Sequence, residues 1–386
     1  MAEVESGLDI RLSKSSIGEA EKLAVMRVLD HEYLGMGAEV KKFEENLTEF
    51  FGRPAVCVST GTAGLQLALQ AIGVSEGDEV LVQSLTYVAS YQAISATGAT
   101  PVSCDVDSSS LCIDWKDAES KITPNTKAVM PVHYGGGVGA LDEVYSFAAK
   151  YSLRVVEDAA HAFGSYYKSR KVGSFGDISC FSFDGIKNIT SGEGGCIVTN
   201  DEKVLESLRD SRLLGVEKDT EKRYSGSRSW EFDVKSQGWR YHMSNIMAAI
   251  GIEQLNRFND LSKKRQKLAN IYDECLTETS GIKIIPNNYS EVVPHIYVVL
   301  LDIGINRSDI RQQLSSLGIQ TGIHWVPNHK LTMFKSSTDV LPVTDSIDSR
   351  ILTLPLHPDL VTADINEVCH QLKICIENYA SHEFFS

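Results

Sequence analysis

The sequence predicts an α/β protein with a large domain, in which helices sandwich a mostly parallel sheet, and a smaller C-terminal α+β domain. Residues 54–200 alternate short apolar runs with segments whose apolar residues recur every three or four positions. From about Ser244 this rhythm gives way to one long helical stretch. We therefore place the N-terminal segment and the large domain at residues 1–250, and the connecting helix and small domain at 251–386.

Seven apolar runs in the first part are predicted strands, and the segments between several of them, such as "GTAGLQLALQAIG" and "LDEVYSFAAKYS", are predicted helices. Helices on both faces indicate a mostly parallel sheet, which binds ligands where its strands end. The predicted strands cover residues 55–59, 79–84, 100–106, 126–133, 153–159, 177–183 and 194–200.

The second part begins with a helical stretch over 244–276, in which Ser244 is the expected N-cap and Gly251 a possible weak point. An apolar strand follows in "HIYVVLLDI". Two helices are predicted after it, from about Arg307 to Leu317 and from about Thr362 to Tyr379.

Composition narrows the classes of function. The chain has 386 residues and a formal net charge of −14 spread along its length, which argues against nucleic acid or an anionic membrane as partner and favours small molecules. The eight cysteines form no CxxC pair and are predicted to be buried free thiols in a reducing cytosol. The start "MAEVESGLDI" does not resemble a signal peptide, and no apolar run is long enough to span a bilayer, so we expect a cytoplasmic protein.

Lys187 lies in "CFSFDGIKNITSGEGG", between an apolar strand and a glycine-rich turn. A lone lysine is most often a solvated surface residue. At the end of a buried strand, however, its amine loses solvation, and desolvation favours the neutral form that makes a Schiff base. We therefore predict that Lys187 binds pyridoxal phosphate (PLP).

Two further residues fit the needs of that cofactor. A carboxylate must keep its pyridine nitrogen protonated, and Asp158 follows the apolar run "LRVVE" where a strand should end. His161, three residues later, could donate to the phenolic oxygen of the cofactor. The alternatives are an aspartate that caps a helix and a histidine of the core.

The phosphate and the ring of the cofactor have candidate sites as well. In "VSTGTAGLQLAL", Gly61, Thr62 and Ala63 open an amphipathic helix whose free amides attract an anion. Ser182 could add a hydroxyl, and Tyr87 could cover the ring. Each of these residues could instead be ordinary helix cap, strand or core. A dinucleotide site is not predicted, because GxGxxG is absent, and no metal site is predicted.

Taken together, the blocks "STGTAGLQLAL", "GDEVLVQSLTYVAS", "VVEDAAHAFGS", "GSFGDISCFSFDGIKNITSGEGG" and "YHMSNIMAAIGIEQL" resemble the DegT-type sugar nucleotide aminotransferases, of PLP fold type I in the aspartate aminotransferase superfamily. The resemblance covers nearly the whole chain. It implies that Lys187 forms the Schiff base, that Asp158 binds the pyridine nitrogen and that His161 lies beside the phenolic oxygen. It also assigns the phosphate contacts to Thr62, Ala63 and Ser182, and the stacking to Tyr87.

In "GWRYHMSN" the sequence departs from that family, which commonly has asparagine where Arg240 stands and arginine where His242 stands. The family residue at position 240 reaches the phosphate of the neighbouring subunit, so the resemblance implies a homodimer with shared active sites in which Arg240 binds cofactor. The loop "HWVPNHK" resembles the sugar nucleotide loop of the family, with His324, Trp325, His329 and Lys330 as candidate contacts.

The resemblance implies an aminotransferase of the EC 2.6.1 class that carries an amino group from L-glutamate to a 3-keto or 4-keto nucleotide-linked deoxysugar, for amino sugars such as those of lipopolysaccharide O-antigen. Some members of the family have histidine in place of the lysine and are dehydratases, which Lys187 argues against. A nicotinamide-dependent sugar oxidoreductase and a non-catalytic PLP-fold regulator stay open as alternatives.

Overall fold

The computed structural model describes residues 8–336 and 340–383. In chain order, the helices and strands of the first part are α1 (Glu19–Asp30), α2 (Ala38–Phe51), β1 (Ala55–Val58), α3 (Gly61–Ala71), β2 (Glu79–Gln83), α4 (Val88–Ser95), β3 (Thr100–Cys104), α5 (Trp115–Ser120), β4 (Thr126–Met130), α6 (Leu141–Lys150), β5 (Arg154–Asp158), β6 (Tyr166–Tyr167), β7 (Arg170–Lys171), β8 (Ile178–Ser182), β9 (Gly195–Thr199), α7 (Glu202–Ser211) and α8 (Asp219–Tyr224). Those of the second part are α9 (Asn245–Asn256), α10 (Phe258–Leu276), β10 (Ile282–Ile284), β11 (Tyr297–Leu301), α11 (Arg307–Ser316), α12 (Pro342–Asp348), β12 (Ile351–Leu354) and α13 (Thr362–Glu383).

Seven strands form the central sheet, in the order β1-β9-β8-β5-β4-β2-β3. The pairs β2–β3, β2–β4, β4–β5 and β5–β8 are parallel, whereas β9 is antiparallel to both β1 and β8. Six strands of this sheet therefore point the same way, and their carboxyl ends meet at one edge. The mostly parallel sheet confirms the predicted fold class.

Helices cover both faces of the central sheet. Successive residues of a strand point to opposite faces, and Val56 and Cys57 of β1 accordingly belong to different hydrophobic clusters. One cluster contains Phe43 and Leu47 of α2, and the other contains Leu65 of α3 together with other residues of that helix. β8 is buried at every position, so that Ser179 and Ser182 are buried together with the apolar residues of this strand.

A second, antiparallel sheet has the order β10-β11-β12 and packs with α10, α11 and α13 around another apolar cluster. These are the α+β elements expected in the C-terminal part. Ile10 near the start of the described chain bridges Ile319, so the N-terminal segment also contacts this region. The predicted domain boundary at residue 250 falls inside α9, and its position stays a prediction.

The long helical stretch after Ser244 differs from the prediction in one respect. Ser244 is the N-cap, with its side chain accepting a hydrogen bond from the amide of Met247, but the helix runs through Gly251 and breaks at Arg257. Expecting weakness at Gly251 was wrong. A Cβ there would lie 2.5 Å from the ring of Phe43, so this glycine lets α9 pack closely against α2.

Among the residues described, no helix combines the length and the apolar character that crossing a bilayer requires. The final helix, α13, is longer than predicted and continues to Glu383.

Candidate active site

The predicted site segments follow the carboxyl ends of the co-directional strands. β1 leads into α3, β2 leads towards Tyr87, β5 ends on Asp158, and β8 ends on Ser182 five residues before Lys187. A cavity of about 460 Å³ opens at this edge of the sheet. The predicted residues that line it are Gly61, Thr62, Tyr87, Asp158, His161, Ser182, Lys187 and Trp325.

Lys187 lies in the turn after β8, where its backbone N–H donates to the carbonyl of Asp184 at 3.1 Å. Burial lowers the pKa of its amine from 10.5 to about 8. The charges of Asp158 and Asp184 act in the opposite direction, and the charge of Arg265 adds to the lowering. A substantial fraction of the amine is therefore neutral near physiological pH, as a nucleophile or a base requires.

Asp158 is the last residue of β5, and its carboxylate accepts two hydrogen bonds. Oδ2 accepts from the hydroxyl of Ser90 at 2.7 Å, and Oδ1 accepts from the amide of Ala160 at 3.2 Å. Turns follow the strand over residues 159–165, so Asp158 does not cap a helix there. Its carboxylate thus lies at the wall of the cavity with a fixed orientation.

His161 is buried, and its ring is held from one side. The amide of Gly135 donates to Nδ1 at 3.3 Å, which leaves the hydrogen of the neutral imidazole on Nε2. Burial, followed by the charge of Lys187 and that of His324, lowers the pKa of His161 well below its usual value. The ring is therefore a neutral donor through Nε2.

The N-terminus of α3 faces the same cavity. Thr60 is the N-cap, and its hydroxyl accepts from the amide of Ala63 at 3.0 Å. Within the described residues, the amides of Gly61 and Thr62 make no hydrogen bond, so both can receive an anion at the positive end of the helix dipole. A Cβ at Gly61 would lie 2.8 Å from Cβ of Ser182, so glycine permits this approach.

Two aromatic side chains stand at the mouth of the cavity. Tyr87 precedes α4 and is 54% exposed, and its ring centroid lies 4.8 Å from that of Trp325 at an angle of 45°. Trp325 also lies 6.2 Å from His161, measured between ring centroids. Tyr87, which follows β2, and Trp325, which follows α11, therefore pack against each other at the cavity although they are distant in sequence.

The structure directs His329 and Lys330 away from the cavity. His329 is buried, with Nδ1 2.7 Å from the hydroxyl of Ser84 and Nε2 3.2 Å from Asp345. The ammonium of Lys330 lies 2.9 Å from carboxylates of Asp345 and Asp348. These contacts anchor the loop on α12 and on the end of β2, and neither side chain lines the cavity.

Three other predicted residues also lie off the cavity wall. The amide of Ala63 donates its hydrogen bond to the hydroxyl of Thr60 and is therefore not free for a ligand. His324 is buried beside Trp325, with Nδ1 2.9 Å from the hydroxyl of Thr353. Arg240 is exposed, and its backbone bridges Leu213.

Three residues that the structure places around Lys187 and Asp158 are not among the predicted site residues. They are Ser90, which donates to Asp158, His295, which lines the cavity, and Arg265, whose charge acts on Lys187. Ser90 lies in the first turn of α4, three residues after Tyr87, and its sequence there gives no further signal. His295 is the first residue of the predicted strand "HIYVVLLDI", and this position does not indicate a role in the site.

Residues 15–373 match the DegT/DnrJ/EryC1/StrS aminotransferase family. Among curated proteins, the spore coat polysaccharide biosynthesis protein SpsC of Bacillus subtilis (strain 168) is 36% identical over an alignment 368 residues long, and the alignment covers 92% of this chain and 94% of SpsC.

Solved structures show the same fold. The putative sugar aminotransferase Spr1654 from Streptococcus pneumoniae, in its PMP form, has a TM-score of 0.90 and 29% identity to this chain, covering 97% of this chain and 100% of its own. PseC from Helicobacter pylori, an aminotransferase involved in the biosynthesis of pseudoaminic acid, has a TM-score of 0.89 and 27% identity, covering 96% of this chain and 100% of its own.

Proposed function

Because this chain belongs to the DegT/DnrJ/EryC1/StrS aminotransferase family, we propose that it transfers the amino group of L-glutamate to a nucleotide-linked keto deoxysugar. The keto group would be at C3 or C4 of the sugar. The observation that carries the proposal is the shared cavity of Lys187 and Asp158. A nicotinamide-dependent oxidoreductase is not retained, since the matched family is one of aminotransferases.

The residues of the cavity fit PLP. The free amides of Gly61 and Thr62, with Ser182 beside them, would hold the phosphate. Asp158 would bind the pyridine nitrogen, and the Nε2–H of His161 would donate to the phenolic oxygen. When bound, PLP supplies a carbonyl that condenses with amines and a ring that withdraws electrons from the reacting carbon.

We assign the proton transfers to Lys187. With its pKa lowered to about 8, Nζ could accept the proton of the glutamate α-carbon and pass it to the cofactor, and in the sugar half-reaction the same nitrogen could carry a proton from the cofactor to the sugar carbon. Asp158 would keep the ring nitrogen protonated, because a buried carboxylate at hydrogen-bond distance favours the cation. Its hydrogen bonds from Ser90 and Ala160 fix the direction in which it points.

For the sugar, Trp325 is the proposed direct contact, because it lines the cavity and lies against Tyr87. We propose that His324, His329 and Lys330 support this contact from the loop. His324 contacts Thr353, His329 contacts Ser84, and Lys330 forms ion pairs with Asp345 and Asp348. These contacts would hold the loop, and with it Trp325, in place.

We further propose that two copies of the chain assemble with shared active sites and that Arg240 reaches the phosphate of the neighbouring subunit's cofactor. The exposure of Arg240 supports this, because its guanidinium stands on the surface of the single chain. A cytoplasmic location and a role in making surface glycans are also proposed. The name of SpsC, a spore coat polysaccharide biosynthesis protein, supports the second of these.

The proposal is tested by supplying the purified protein with PLP, L-glutamate and a panel of dTDP-, UDP- and GDP-linked 3-keto and 4-keto deoxysugars. We expect an amino sugar nucleotide from at least one of them, identified by mass and NMR, together with 2-oxoglutarate. The same panel without an amino donor is the control. If PLP binds but the panel yields no amino sugar, the proposed substrate class is wrong.

A further inference from the structure

His295, just before β11, approaches Lys187 from the side of the second sheet. Its Nε2 lies 3.4 Å from Nζ of Lys187, a long hydrogen bond of the kind that free enzymes show before substrates tighten the site. The residue is 3% exposed and lines the cavity. Its ring centroid is 4.4 Å from that of His161.

The backbone of His295 is fixed relative to that of Lys187. Its amide donates to the carbonyl of Gly135 at 3.0 Å, and its carbonyl accepts from the guanidinium of Arg265 at 3.1 Å. The same guanidinium donates at 3.3 Å to the carbonyl of Ile186, the residue before Lys187. One buried side chain therefore ties the histidine segment to the lysine turn.

The imidazole of His295 is neutral. Burial lowers its pKa well below the usual value, and the positive charges of Lys187 and Arg265 lower it further. Nδ1 is buried and has no hydrogen-bond partner within the described residues. Since no group fixes the tautomer from the far side, Nε2 is free to accept a hydrogen bond from the lysine.

We propose that His295 is a positioning residue for Lys187: its neutral Nε2 accepts an N–H of the ε-amine and thereby directs the nitrogen lone pair into the cavity. An amine that serves as base or nucleophile needs that lone pair free and aimed, and a protonated imidazole could not accept the hydrogen bond. No proton moves to His295 in this arrangement. The inference rests on the proposed role of Lys187.

The test compares two amide variants of similar polarity. In His295→Gln an amide oxygen can reach the place of Nε2, whereas in His295→Asn the shorter side chain reaches only the place of Nδ1. His357→Asn is the control, because His357 is a buried histidine that does not line the cavity. Thermal unfolding of each variant identifies any general loss of stability.

The first measurement is the rate at which the full-length apoprotein captures PLP, followed by the growth of the yellow band of the lysine-bound cofactor. We expect His295→Asn to slow capture about tenfold or more while the final absorbance stays unchanged, and His295→Gln to recover most of the rate. The second measurement is the single-turnover reaction of the loaded protein with L-glutamate and with its α-deuterated form. The deuterium isotope effect should increase in His295→Asn and return towards the wild-type value in His295→Gln.

Equal rates and isotope effects in both variants and the wild type would overturn the inference, as would equal losses in His295→Gln and His295→Asn at unchanged thermal stability. Failure of the proposed function looks different. In that case the wild-type protein itself would form no yellow band with PLP, or Lys187→Ala would keep the band.

Discussion

The hydroxyl of Ser90 donates a 2.7 Å hydrogen bond to Oδ2 of Asp158, and both side chains are buried. Ser90 in turn lies 2.9 Å from the hydroxyl of Thr86, so a short chain of hydroxyls from α4 and the turn before it supports the carboxylate. The orientation of the proposed ring-nitrogen partner is thus set by a residue outside the strand that carries it.

Because Ser90 supports Asp158, we expect a large loss of activity when Asp158 is replaced and a smaller loss when Ser90 is replaced. Asp158→Asn should nearly abolish transamination, because a neutral amide does not stabilise a protonated pyridine nitrogen. Ser90→Ala keeps the charge and removes one hydrogen bond, so we expect kcat to fall only about five- to tenfold. Steady-state assays check both. Ser95→Ala, at the end of the same helix, is the control, and equal losses in the Asp158 and Ser90 variants would contradict the assignment.

A methyl group at Gly61 should damage the phosphate site. In Gly61→Ala the new Cβ would lie 2.8 Å from Cβ of Ser182, which forces α3 and β8 apart at the proposed phosphate contacts. We expect the dissociation constant for PLP to rise about tenfold or more. Gly64→Ala on the same helix is the matched control, since its Cβ would meet Ile197 and Val58 at an ordinary 3.4 Å. Equal affinities in a fluorescence titration of the two variants would refute this account.

The capture of PLP by the apoprotein should depend on pH through Lys187. Its pKa is lowered to about 8, so the neutral fraction, and with it the capture rate, should rise as pH increases through about 8 and level off above. Asp184→Asn removes a charge that raises this pKa, so the midpoint should move to lower pH. A stopped-flow pH series measures both, and a wild-type rate that rises only near the ordinary lysine value of 10.5 would contradict the prediction.

Trp325→Ala should impair the sugar half of the reaction more than the glutamate half. The indole lines the cavity beside Tyr87, and we expect its loss to raise the apparent KM for the keto sugar, or lower kcat, about tenfold. His329→Ala, which removes the contacts with Ser84 and Asp345, should act in the same direction through the loop. Val326→Ala, at a half-exposed neighbour outside the cavity lining, is the control.

Single-turnover absorbance with glutamate alone isolates the first half-reaction. Equal impairment of both halves in Trp325→Ala would mean that the indole supports the cofactor instead of the sugar.

Local patterns were enough to predict the fold class and the strand ends at Asp158 and at Ser182, which precedes Lys187, because strand runs and helical periodicity are properties of neighbouring residues. The unbroken course of α9 through Gly251 was not predictable in this way, because the ring of Phe43 that requires a glycine there belongs to another helix.

Contacts between distant elements also explain why the observed site differs from the site predicted from the sequence. His295 is 108 residues from Lys187 in sequence, and their approach depends on how the second sheet packs against the first. The direction of His329 and Lys330 is decided by carboxylates of α12, which their own loop does not reveal. Sequence pattern locates residues on elements, whereas packing between distant elements decides which of them share a cavity.

The most direct test of the account is the absorption spectrum of Lys187→Ala after incubation with PLP, measured beside the wild type and beside Lys171→Ala, a partly buried lysine outside the cavity. We predict that the wild type and Lys171→Ala show the yellow band of the lysine-bound cofactor and lose it on adding L-glutamate. Lys187→Ala should unfold at a similar temperature and lack that band. Its kcat should fall by at least about 1,000-fold. A yellow Lys187→Ala protein that transaminates at the wild-type rate would contradict the central claim.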